Sequence, residues 1–197
     1  MSFKINFDTS GKVPSPSQSY YETTSRFQTI LSTKLGTNYA NNASNTIKGI
    51  QSSIDLGDLT KASNVSAGEI NTALEGTAMA GLGNSFVEAE QKYGVNAWFL
   101  VGLAAHESAY GTSRIAQSKQ NLFGFQAYDS SPYASAKRFD SFEESIDAVA
   151  SYLKENYLTE NGKYYNGLGI DAVNKRYATD QNWANAIASN INNMIGA

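Results

Sequence analysis

The segment Ala97-Trp-Phe-Leu-Val-Gly-Leu-Ala-Ala105 constrains this chain most, because every position except Gly102 carries an apolar side chain. A helix that is apolar all round has no face to offer water, so the rest of the fold must enclose it. The run ends in His106 and Glu107, followed by Ser-Ala-Tyr-Gly111-Thr-Ser113. A carboxylate at the end of a buried helix is costly unless something pairs with it or uses it. Burial raises a carboxyl pKa, and a carboxyl that keeps its proton near neutral pH is what a general acid requires. Glu107 is therefore the first candidate for chemistry; pairing with Arg114, or projection into water, are the plainer alternatives. Gly111 suits a helix exit with positive φ, and Thr112 or Ser113 suits the cap of a following helix. Glu107 is thus expected at a sharp helix-to-helix corner.

Composition narrows the chemistry. The chain has 197 residues, room for one domain or for one domain with an appendage. Its 41% hydrophobic content, with twelve tyrosines and nine phenylalanines, suffices for a real core. A formal charge of −3 with no basic run argues against a nucleic-acid partner. There is no cysteine, which excludes disulfides and thiolate metal sites. His106 is the only histidine. A zincin would need its second His at Tyr110, and a Ser-His-Asp triad has no G-x-S-x-G elbow to use. His106 is read as structural, and neither a metal nor a cofactor is expected. No apolar run approaches the ~20 residues of a membrane span, so no membrane insertion is expected. The opening Met-Ser-Phe-Lys-Ile-Asn-Phe-Asp lacks the apolar core of a secretory signal.

Along the chain, residues 1–16 read as a flexible lead. Tyr20, Phe27, Ile30, Leu31 and Leu35 are spaced for a helix, as are Ala43, Ile47, Ile50 and Ile54. Leu56 to Asn64 reads as a linker. Ser66 with Glu69 then forms a capping box, with Val65 able to staple onto Ile70, and the main domain is placed to start there. Gly81 to Gly83 breaks the first helix, and the next ends near Tyr93-Gly94. Asn121 to Ala136 has no helical period and suits a loop or small hairpin. Ser141 and Glu144 form a second capping box, ahead of a stripe of Phe142, Ile146, Val149, Leu153 and Tyr157. Asn161-Gly162 marks a turn. Ile170, Val173 and Tyr177 mark a short helix. Thr179 or Asp180 is expected to cap a last helix carrying Trp183, Ile187, Ile191 and Ile195, with Trp183 read as core packing.

Taken in order, Glu107-Ser-Ala-Tyr-Gly-Thr-Ser113, Asn121-Leu-Phe-Gly124, Ala127-Tyr-Asp-Ser-Ser-Pro-Tyr133 and Phe139-Asp-Ser-Phe-Glu-Glu-Ser-Ile146 resemble glycoside hydrolase family 73. These are bacterial and phage β-N-acetylglucosaminidases that cut peptidoglycan. The resemblance covers roughly Ser66 to Ile195. It implies a mostly α, lysozyme-like helical domain with a small loop or β-hairpin insert, here preceded by a helical N-terminal segment. The division expected is an appendage at 1–64 and a catalytic domain at 65–197.

The resemblance also implies roles. Glu107 would be the general acid, delivering a proton to the leaving oxygen while charge builds at the anomeric carbon. Asp129 matches a position where one branch of the family has an acidic residue; it equally suits an Asx-turn before Pro132. Asp140, Glu143 and Glu144 compete with it, although the two glutamates are explained by a helix N-terminus. A second carboxylate would activate water and invert configuration; without one, the substrate N-acetyl group would attack. Tyr177, in Lys-Arg-Tyr-Ala-Thr-Asp-Gln-Asn-Trp-Ala, matches a cleft tyrosine of the family. Asn121 and Phe123 match its cleft floor, and Tyr110, Tyr128 and Tyr133 are candidates to stack on sugars. The substrate implied is the peptidoglycan glycan strand, at the cell wall or from a phage virion. A muramidase, a lytic transglycosylase, and an inactive wall-binding or virion module stand as alternatives.

Overall fold

The computed structural model describes residues 54–127 and 132–196. The helices expected at 20–35 and, except for Ile54, at 43–54 lie outside the described residues, as do Tyr128 and Asp129. Among the described residues there are helices and no strand. In chain order they are α1 (Ala67–Ala73), α2 (Gly83–Tyr93), α3 (Ala97–Ser108), α4 (Arg114–Lys119), α5 (Pro132–Ser135), α6 (Phe142–Asn156), α7 (Ile170–Tyr177) and α8 (Trp183–Gly196). The mostly α reading of the sequence holds. The described part of the insert after Asn121 consists of turns and the single helical turn α5.

Helix α3 is the centre of the packing. Asn96 starts it, its side chain accepting from the Phe99 amide at 3.1 Å. Every residue from Ala97 to Ala105 is buried, as the apolar run requires. Helices α2 and α8 pack on it, α1 and α6 pack on α2, and α7 packs on α8. The expected box at α1 is complete: Ser66 Oγ accepts from the Glu69 amide, and the Glu69 carboxylate accepts from the Ser66 amide. At α6 the box is shifted by one residue. Ser141 Oγ accepts from the Glu144 amide, but the Glu144 carboxylate reaches past Ser141 to the Asp140 amide at 2.7 Å. Ahead of α8, Asp180 accepts from the Asn182 amide at 2.8 Å, ordering the turn that delivers Trp183.

The stretch expected to link is part of the packing. Leu59 is fully buried, its amide donates to the Leu168 carbonyl and its carbonyl accepts from the Asn96 amide, both at 2.8 Å. The Ile170 amide likewise donates to the Leu56 carbonyl at 2.8 Å. Two leucines among mostly polar residues are too few to set a periodicity, which is why this docking was not legible in the sequence.

Gly102 sets how closely α3 and α8 approach. A Cβ there would stand 2.5 Å from Ile191 Cγ1 and 3.1 Å from Ile187 Cγ2. Only a glycine allows the α8 isoleucines to lie against the α3 backbone. Helix propensity alone makes Gly102→Ala a gain of about 1 kcal/mol. The overlap reverses the sign, and we expect a net loss of about 1–2 kcal/mol in urea unfolding. A more stable Gly102→Ala protein would mean that the two helices do not touch there.

Candidate active site

Glu107 occupies the last turn of α3, half-buried, and the chain reverses immediately after it. The reversal takes more than the glycine expected. Ala109, Tyr110 and Gly111 are all left-handed, with φ of 50°, 55° and 81°. Non-glycine residues rarely adopt this region, and two in succession must be held there. Ser108 holds them: its buried hydroxyl donates to the Ala104 carbonyl at 2.6 Å and accepts from the Gly111 amide at 2.7 Å. The Tyr110 amide donates to the Ala105 carbonyl, and Ser113 then caps α4. The corner fixes where the Glu107 carboxyl points.

The partner of Glu107 is Trp183, the first residue of α8, whose indole Nε1–H donates to Oε1 at 3.0 Å. Gly102 explains the meeting. Glu107 lies about a turn and a half beyond Gly102 on α3, and Trp183 about one turn before Ile187 on α8. Antiparallel helices in contact at Gly102 therefore bring those two ends together. Burial raises the Glu107 carboxyl from an ordinary 4.5 to about 7, although the indole bond pulls the other way. Arg114, the partner the sequence offered, instead covers the Tyr133 ring at 3.9 Å.

Trp183 is buried and begins a series of rings. Tyr177 lies against it at 5.0 Å with planes 32° apart, and Phe99 meets it edge-on at 6.4 Å. Tyr157 follows Tyr177 at 5.5 Å, and Tyr164 follows Tyr157 at 5.1 Å. Through Tyr152 the series reaches Phe125 of the insert and Phe139 just beyond it. The Tyr177 hydroxyl is held neutral, first by burial and second by the nearby Glu107. A cleft of about 750 Å³ opens at Tyr177, lined also by Tyr157, Tyr164, Asn174, Thr179 and Gln181. Tyr177 lines this cleft and lies within electrostatic reach of Glu107, which is not among the lining residues.

The remaining sequence candidates separate by what their atoms already do. Asn121 is buried and saturated: its amide NH2 donates to the Phe125 and Lys137 carbonyls, and its oxygen accepts from the Phe123 and Phe125 amides. These four bonds tie the insert together. Phe123 is buried in the core, and Tyr110 is half-buried against it. Tyr133 is 37% exposed, and both Arg114 and the Lys119 ammonium lie over its ring, at 3.9 and 5.0 Å. Asp140, Glu143 and Glu144 are at the start of α6, where Glu144 caps as described. His106, in the last turn of α3, is exposed. Among the described residues, no group of three or more acidic or histidine side chains gathers as metal ligands would, and no helix is long and apolar enough to cross a membrane.

Trp183 is the site residue that sequence reasoning assigned elsewhere. Its ring does pack in the core, but a buried indole N–H needs an acceptor. That need was the available signal; the pairing across 76 residues was not.

The family model described as mannosyl-glycoprotein endo-beta-N-acetylglucosaminidase matches residues 83–195. A protein named putative endo-beta-N-acetylglucosaminidase from Streptococcus pneumoniae is 38% identical over 147 residues, which is 71% of this chain and 22% of that protein. A bifunctional autolysin of Staphylococcus aureus is 27% identical over 152 residues, 64% of this chain and 12% of its own length. The chain thus spans about a fifth or less of these relatives. Among solved structures, S. aureus autolysin E in complex with the muropeptide NAM-L-Ala-D-iGlu is similar with a TM-score of 0.58 and 29% identity, covering 76% of each chain. A catalytic mutant of the same autolysin with the disaccharide NAG-NAM gives 0.57 and 27%, covering 72% of each chain. With more than half of its length matched by the family model, this chain belongs to the glucosaminidase family.

Proposed function

We propose that this chain hydrolyses the β-1,4 bond between GlcNAc and MurNAc in peptidoglycan, with Glu107 as general acid. The observation that carries the reading is the Glu107 carboxyl, raised to about 7 by burial and held by an indole at a sharp helix corner. In the reaction the carboxyl proton passes to the glycosidic oxygen, the anomeric C–O bond breaks, and its electron pair stays on the departing sugar. The positive charge left at the anomeric carbon is met from the opposite face. Asp129, through a water, and the substrate's own N-acetyl group are the two candidates for that face. Tyr177, neutral and close to Glu107, is proposed to hydrogen-bond the N-acetyl group or steady the acid. Tyr110, Tyr128 and Tyr133 are the proposed sugar-stacking residues, and Asn121 and Phe123 are proposed to form the cleft floor.

The place of action is the cell wall, and residues 54–64 are read as folded onto the catalytic domain. The residues before them are proposed as an appendage that docks the domain to an assembly or to another domain.

Glu107→Gln keeps the shape and removes the transferable proton. Turnover of purified peptidoglycan is expected to fall by about 10²–10⁴-fold, with reducing GlcNAc ends, seen after borohydride reduction, from the wild type alone. MurNAc or anhydro-MurNAc ends would move the activity to a muramidase or transglycosylase with the same acid. Wild-type activity in the variant would remove Glu107 from the mechanism.

Two pH effects follow from the same carboxyl. A general acid must be protonated, so kcat/KM of the wild type is expected to fall as pH rises through about 7. Folding stability follows too, because the folded protein binds this proton more tightly than the unfolded chain. That stabilisation is fully present below about 4.5 and is lost as pH rises through about 7. Glu107→Gln escapes the loss. Its melting temperature relative to wild type is therefore expected to be higher at pH 8 than at pH 4, and an equal difference at both would contradict a buried acid.

A further inference from the structure

We propose that Trp183 is a positioning residue that places the transferable proton of Glu107 on Oε2 and turns it toward the substrate. The inference rests on the reading of Glu107 as the acid. A protonated carboxyl has two unlike oxygens, one bearing the hydrogen and one a carbonyl, and only one arrangement is productive. Neighbours that both donate and accept do not discriminate between them. A hydroxyl or a water can donate or accept, so it follows whichever oxygen holds the proton. An indole N–H can only donate. With Nε1 at 3.0 Å from Oε1, that oxygen is held as the acceptor. The carbonyl oxygen is the better acceptor of the pair, so the hydrogen resides on Oε2.

The donor has no freedom to leave. Trp183 is 2% exposed, lies against Tyr177 at 5.0 Å, and meets Phe99 edge-on at 6.4 Å. Its backbone position is set by the contact of α8 with Gly102. The other end of the bond is fixed by the Ser108-held corner. Both atoms therefore arrive preorganised, which is the condition under which one hydrogen bond changes a barrier. After the proton leaves, the same N–H faces a carboxylate, where a bond to a charged group is stronger. Trp183 thus contributes twice, to the aim of the acid and to the stability of its conjugate base.

The test separates the N–H from the ring. Trp183→Phe removes the donor and part of the packing. Site-specific replacement of Trp183 by 3-benzothienylalanine puts sulfur in place of N–H and keeps the bicyclic shape. For both we expect kcat to fall by about tenfold or more, the scale of a hydrogen bond to a charged group, with KM little changed. The alkaline limb of the rate should move to higher pH, because the bond that lowers the Glu107 pKa is gone. An infrared difference spectrum against Glu107→Gln should show the protonated carbonyl stretch shifting upward when the N–H is absent. A benzothienyl protein with wild-type kcat, pH limb and carbonyl stretch would overturn the inference. A loss confined to melting temperature would overturn it as well, leaving Trp183 as packing. If Glu107→Gln itself stays active, the underlying reading of the acid is what fails, and the two failures are distinguishable.

Discussion

The contact of the α8 isoleucines with the backbone of α3 at Gly102 is the constraint on which the site depends. It sets the spacing of the two central helices, and through the helical repeat it sets which of their ends meet. Glu107 and Trp183 are each unremarkable alone: one glutamate after an apolar run, one tryptophan at a helix start. Their meeting converts a buried carboxyl, which would be a liability, into one with a defined partner and a defined free oxygen. The apolar enclosure supplies the raised affinity for the proton, and the indole limits it. The two effects oppose each other, and burial dominates.

Much of this was legible in the residues, and the parts that were not share a cause. The enclosed helix, the box at Ser66, the short helix from Ile170 to Tyr177 and the corner after Glu107 are written in local patterns of a few residues. Local patterns also carried the family motifs that single out Glu107. What local pattern cannot carry is pairing across the chain. Leu59 enters the core through bonds to Asn96 and Leu168, and nothing beside it in the sequence signals that. Trp183 reads as core because it is core; its second role depends on a residue 76 positions away. Asn121 shows the converse. Its motif is local and legible, but its four bonds to backbone, which hold the insert together, appear only in the fold.

The corner after Glu107 illustrates how such a site is kept. Ala109 and Tyr110 sit where glycine would be easier, and the buried Ser108 hydroxyl holds the turn closed around them. Strain of this kind persists only where the surroundings over-determine it. Here they do, because Gly111 lies close against Ala78 and Met79 with little room for a side chain. The ring series from Trp183 to Phe139 then links this rigid corner to the insert. Acid, cleft wall and insert are thereby parts of one packed body rather than separate loops.

Lys119 gives the insert an attachment of an unusual kind. The side chain is 8% exposed, and its ammonium donates to the carbonyls of Ala134 and Ala136 at 3.2 and 2.7 Å while lying 5.0 Å from the Tyr133 ring. The acceptors are peptide groups and a ring face, none of which is a carboxylate. Acidification therefore cannot discharge them, as it would the anion of an ion pair. Dissolved ions, for their part, screen an enclosed charge far less than an exposed one. The insert is thus fastened by a clasp that acidification does not open and that added salt weakens little.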